Sequence, residues 1–223
     1  MNVALLDLNA HLHCRALLFV ATLFLALCST GLTQVTLANF SSDQKQVEIS
    51  LKTSTGEAIK LNTFSPGQIS GSFSLDPRPT DFIFVHPTLG TNTFKLTPST
   101  NSQSWLVYSV VRMVPPSPDK PPAQKLFVQK LSLGQNRAMG YRAFNVCTNP
   151  VSLLVDGKAV TVQPSSIENG SGFTELSAKR QITVANSDGS EPVTSNPEDP
   201  IPVCFFIYPK DEKGGAAWSS LTE

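Results

Sequence analysis

One β-pattern, carried twice, sets what this chain can fold into. The stretch YRAFNVCTNPVSLLVDGKAVTVQ, 141–163, reads as three short strands cut by Asn-Pro and by Asp-Gly, and the second cut is a hairpin signal. The same order recurs earlier in degraded form as VTLANFSSDQKQVEISLKTSTGEAIKLN, 35–62. Val47, Ile49 and Leu51 map onto Val151, Leu153 and Val155 at a single offset of 104, each triplet alternating with other residues as a half-buried strand does. Further pairs keep the order: Asn39 with Asn145, Pro66 with Pro164, Phe73 with Phe173, Ile83 with Ile182, and Trp105 with Cys204. Short strands with frequent turn signals, in two units of this size, predict an all-β chain of two tandem antiparallel β-sandwiches.

The N-terminus predicts an address. Arg15 precedes the apolar run ALLFVATLFLALC, 16–28, and small Ser29, Thr30 and Gly31 follow. That order is a secretory signal, here residues 1–31 with cleavage after Gly31. Two alternatives stay open: a retained anchor, since roughly 17 apolar residues is the lower limit for a span, and lipidation at Cys28, since LALC resembles a lipobox. No second apolar run of that length follows, so the expectation is an exported protein, periplasmic or extracellular, with no membrane span after cleavage. The two units are then 32–134 and 135–223, divided at GQNRAM. The five prolines of PPSPDKPP, 115–122, cannot donate to a central ladder and read as a long turn within the first unit.

Seventeen basic and seventeen acidic side chains leave no net charge to gather nucleic acid, so no nucleic-acid partner is expected. For an exported chain without a reactive constellation the expected partner is an envelope protein or a polysaccharide. Cys147 and Cys204 remain after signal removal, and an even pair in an oxidising compartment predicts a disulfide. Closing that loop would contribute about 4 kcal/mol on the chain-entropy model; the alternative is two buried thiols packed as small hydrophobes. With no CxxC and His86 as the sole histidine beyond the signal, neither a metal nor a cofactor is expected.

Candidate sites are few. A hydrolase would have to use His86, in FIFVHPT, whose bland reading is a strand-end histidine. Asp188, Glu191, Glu198 and Asp199 could bind calcium or flank a sugar, or simply be solvated on a long loop. Among Trp105, Tyr108, Tyr141, Tyr208 and Trp218, the pair Tyr108 and Trp218 are the candidate surface aromatics for stacking sugar rings, and Trp105 is expected inside. Leu154 stands on the polar face of its strand, which places it at an interdomain or partner surface, or leaves it singly exposed. Asn39-Phe-Ser41 and Asn169-Gly-Ser171 are glycosylation sequons in a eukaryotic source.

The segments ANF (38–40), FNV (144–146), VDGKAV (155–160) and SGF (171–173) resemble the repeat of bacterial exported DUF4397-type β-domains. The tandem pair is also similar to the periplasmic accessory factor of alginate O-acetylation. The resemblance implies a non-catalytic protein serving an envelope polysaccharide-acetylation complex. It transfers no functional residue, and the cysteine pair and PPSPDKPP depart from its pattern.

Overall fold

The computed structural model describes residues 33–53, 55–76, 78–97, 104–133, 140–165, 173–177, 181–187, 192–194, 203–210 and 216–222. The expected signal, the GQNRAM divide, the second sequon and the acidic loop lie outside these residues. No helix occurs among the described residues.

Among the described residues sixteen strands follow in chain order. The first eight are β1 (Thr33–Asn39), β2 (Val47–Lys52), β3 (Ala58–Phe64), β4 (Phe73–Leu75), β5 (Thr80–His86), β6 (Gly90–Leu96), β7 (Ser104–Val114) and β8 (Ala123–Ser132). The second eight are β9 (Tyr141–Asn145), β10 (Val151–Val155), β11 (Lys158–Val162), β12 (Phe173–Ser177), β13 (Thr183–Asn186), β14 (Val193–Thr194), β15 (Val203–Pro209) and β16 (Ala216–Thr222). They form four sheets of four, ordered β4-β1-β7-β8, β3-β2-β5-β6, β12-β9-β15-β16 and β11-β10-β13-β14. Adding eight to each strand of the first two orders gives the last two. In both halves the first strand runs parallel to the seventh, while the other pairings are antiparallel.

Three cores glue four layers. Val35, Leu37, Val47, Ile49, Phe82, Phe84 and Val107 fill the space between the first two sheets, and Leu153, Val155, Val184, Phe205 and Ile207 do so between the last two. A third core joins the halves: Phe40, Leu106, Tyr108, Val110 and Leu131 meet Phe144, Val146, Cys204 and Phe206. The sheets carrying β7 and β15 are therefore covered on both faces. This explains why Leu106–Val111 and Cys204–Ile207 are continuously buried, as strands buried on both faces are. The outer strand β2 keeps Val47 and Ile49 inward with Glu48 half-exposed, as its alternation predicts.

The same asparagine turns the corner from inner to outer sheet in each half. Asn39 donates its amide to Lys45 O (3.1 Å) and Phe64 O (3.0 Å), and its Oδ1 accepts from Ser41 N (3.1 Å). Asn145 donates to Asn149 O (2.9 Å) and Val162 O (3.0 Å) and accepts from Cys147 N (2.9 Å). Both are fully buried. Ser109, the polar exception on the inward face of β7, donates its hydroxyl to Asn39 Oδ1 (3.1 Å) and so belongs to the first corner.

These corners correct part of the sequence matching. Asn39 pairs with Ser109 and Asn145 with Ile207, so β7 maps onto β15 at an offset of 98, not 99. Cys204 is the equivalent of Leu106, both in the middle core, and Trp105 is not its counterpart. One residue of slip turns a side chain to the opposite face. The Phe73–Phe173 match fails likewise: Phe73 packs in the first core, whereas Phe173 and Ile69 both pack against the middle one. Ile83 is also no counterpart of Ile182, for Phe82 lies opposite Leu51 as Val184 lies opposite Val155.

The expected Cys147–Cys204 bridge is not formed; both sulfurs are unbridged thiols. Cys204 is level with Arg142, while Cys147 lies beyond the pair Asn145–Ile207. Ile207 is three residues along from Cys204, about 10 Å at strand rise, and a disulfide needs Cα atoms within about 7 Å. The two also serve different cores, Cys204 the middle one and Cys147 the third.

Candidate functional site

His86 closes its own hairpin. Its Nδ1 accepts from Leu89 N (3.2 Å) and Thr88 N (3.3 Å) across the β5–β6 turn. Asp43 Oδ2, on the β1–β2 loop, lies 2.8 Å from Nε2, at ion-pair distance but outside hydrogen-bond angles. The imidazole is buried and its lone pair is already directed at backbone N–H groups, so the pair ties a loop to a hairpin. A general base needs that lone pair facing a substrate.

The surface aromatics resolve differently. Tyr108 is only 3% exposed and stands in the middle core, edge-on to Phe144 at 6.4 Å, with its hydroxyl donating to Gln129 Oε1 (2.9 Å). It cannot stack a sugar; both faces of its sheet are covered, which alternation alone did not disclose. Trp218 is half-buried and packs edge-to-face on Phe205 at 5.4 Å. Leu154 is half-buried on the outer face of β10, between Ala159 and Ala185. Its sheet is the layer farthest from the middle core, so the other half does not cover it, contrary to the interdomain expectation. Asn39 of the first sequon is buried with both amide hydrogens engaged.

Two nucleophile types sit near the seam between the halves, and both are held in their protonated forms. Burial pushes Tyr108 up from 10.0 to about 12, with nearby Arg112 acting against it. Burial likewise pushes the Cys147 thiol from 9.0 to about 11, opposed by its own backbone hydrogen bond and by Arg112. Arg112 donates to Val146 O (3.3 Å), and its own value is lowered by burial.

Other contacts lock this seam. Arg142 donates to Leu133 O (2.7 Å), Ser219 to Gly67 O (2.6 Å), and the Gln44 side-chain amide to the Lys210 carbonyl. Phe40 stacks on Phe206 and Tyr208 at 5.6 and 5.5 Å. Gly67, at φ +78°, lies so close to Tyr208 that a Cβ there would fall 1.9 Å from the phenol oxygen.

One cleft and one projection among the described residues are open to a ligand. The cleft, about 670 Å³, lies between the β2–β3 turn and the β4–β5 link, with Lys52, Asp76, Arg78 and Asp81 among its walls and no aromatic side chain. The projection is the far end of the β7–β8 hairpin. The ladder runs through Arg112–Lys125, Met113–Gln124 and Val114–Ala123, breaks at the prolines, and closes again where Ser117 and Lys120 exchange two 3.0 Å bonds. From 113 to 125 no residue is buried, and Met113 is 63% exposed. Pro118-Asp119 are the central turn residues, with proline where its fixed φ suits the turn. The span from Trp105 to Ser132 is 27 residues and that from Val203 to Thr222 is 19, so this arm is eight residues longer than its counterpart. No family model matches the chain, and no curated protein matches it in sequence.

Proposed function

We propose that the chain is a non-catalytic extracytoplasmic scaffold of the bacterial envelope, an accessory protein whose β7–β8 arm engages a protein partner. The carrying observation is the arm itself. An exposed ribbon must be ordered at an entropic cost of about 1–2 kcal/mol per residue without burying a side chain in return. Its five prolines remove the N–H groups that strand addition would use, so recognition falls to side chains. Those include the exposed side chains of Met113, Lys120 and Lys125. The resemblance to exported polysaccharide-acetylation factors supports the setting, and the engagement of His86 within its hairpin favours binding over hydrolysis.

The test joins Arg112 to Lys125 through Asn-Gly, deleting the arm beyond them. Chemical cross-linking in the source cell should give a discrete adduct with wild type and none with the shortened protein, at unchanged circular dichroism. Retention of the same adduct would refute the arm's role. A carbohydrate-binding reading is favoured by the polar cleft; Lys52→Ala with Arg78→Ala abolishing glycan-array binding would promote it over the scaffold.

A further inference from the structure

In the first half three sheet edges are guarded and one is not. Strand β4 is only three residues long, and β6 and β8 lie against each other, with Asn92 of β6 donating to Leu126 O of β8 (3.1 Å). Short strands and covered edges are the usual defences of a free edge. Strand β3 has seven residues, no proline and five exposed positions. Its one lysine does not stand off the edge, because Lys60 Nζ reaches back across the sheet to Glu48 at 2.5 Å. Its bulge, where Ile49 pairs with Asn62 and Ser50 with Lys60, leaves Leu61 without a partner on β2. A bulge commonly blunts an edge; this one bares a leucine. Ile59 is 53% and Leu61 40% exposed, two of the four exposed large hydrophobics among the described residues.

We propose that β3 accepts an added antiparallel strand, and that this strand is β3 of a second copy of the chain. A row of unpaired backbone groups is recognised by an extended backbone. The self-register is compatible in charge. A two-fold axis through Leu61 sets it against its own copy, Lys60 against Asn62, Ile59 against Thr63 and Ala58 against Phe64, so no like charges meet. The contact is isologous and closes at two copies, giving a continuous eight-stranded sheet instead of an open array. It uses a face distinct from the proline arm and stands or falls independently of the scaffold reading.

Analytical ultracentrifugation over a sub-millimolar concentration series is the test. Wild type should show a reversible monomer–dimer equilibrium that Leu61→Lys weakens at least about tenfold, equivalent to about 1.4 kcal/mol. Met113→Lys, on the arm, should leave it unchanged. Leu61→Cys in a Cys147→Ser background should form an interchain disulfide on mild oxidation, whereas Thr63→Cys should not, because only position 61 meets itself. Circular dichroism checks that each variant is folded. A wild type that remains monomeric, a dimer indifferent to Leu61→Lys, or growth beyond two copies would each overturn the proposal.

Discussion

At the scale of single residues, the corner asparagines carry the clearest consequence. Asn39 and Asn145 each make three side-chain hydrogen bonds to backbone, in buried surroundings. Alanine at either site strands a buried strand carbonyl, Phe64 O or Val162 O, and the N–H of Ser41 or Cys147, each costing about 1–3 kcal/mol when buried. Urea denaturation of Asn39→Ala or Asn145→Ala should therefore show a loss of about 3 kcal/mol or more, larger than the usual effect of a single change. The sequence did contain this signal, as an Asn in each copy of the repeat, but not its bonding, because an asparagine ending a strand looks like any turn residue. Cys147 adds a pH dependence. Its thiol is raised in the fold, so above the ordinary value of 9.0 the unfolded chain loses its proton first, and stability falls as pH rises towards about 11. Tyr108 acts in the same direction from 10.0 to about 12. Melting temperatures measured between pH 8 and pH 11 should decline, and Cys147→Ser should flatten the lower part of that decline.

At the scale of elements, strand identity was legible, and facing was legible only for the outer strands. The alternation of β2 and β10 placed Val47, Ile49, Leu153 and Val155 in their cores. For β7 that rule does not apply, because WLVYSVV is a strand with both faces covered. The neighbouring run CFFI in β15 carries the same mark. A continuous apolar run within a chain of otherwise alternating strands was the available clue to the middle core, and reading it would have removed Tyr108 from the surface candidates. The disulfide failed for a related reason: spacing in sequence says nothing of which core a cysteine serves. The arm gives the element-scale prediction. With no buried residue between 112 and 125, shortening it should leave the unfolding free energy unchanged or raised, since ordering those residues costs conformational entropy without burial in return. Phe206→Ala in the middle core should cost about 3–5 kcal/mol.

At the scale of the whole molecule, the halves repeat one topology and meet through equivalent faces. Leu106 and Cys204, Tyr108 and Phe206, and Leu131 and Leu221 contribute in matched pairs to the middle core, much as two subunits meet across a two-fold axis. Neither half hides that face by itself. Residues 33–133 made alone should therefore dimerise or aggregate, while the whole chain should unfold in a single calorimetric transition. Gly67→Ala, which drives a methyl into Tyr208 across the seam, should lower stability and split that transition if the halves separate. The parallel pairing of first and seventh strands also has a kinetic side. Gln34 meets Ser104 only after seventy further residues are made, and Tyr141 meets Val203 after sixty-two. Contacts so distant along the chain form slowly. A growing polypeptide of this design cannot close either inner sheet until each half is nearly complete, so the export proposed above would meet a chain whose sheets are still open.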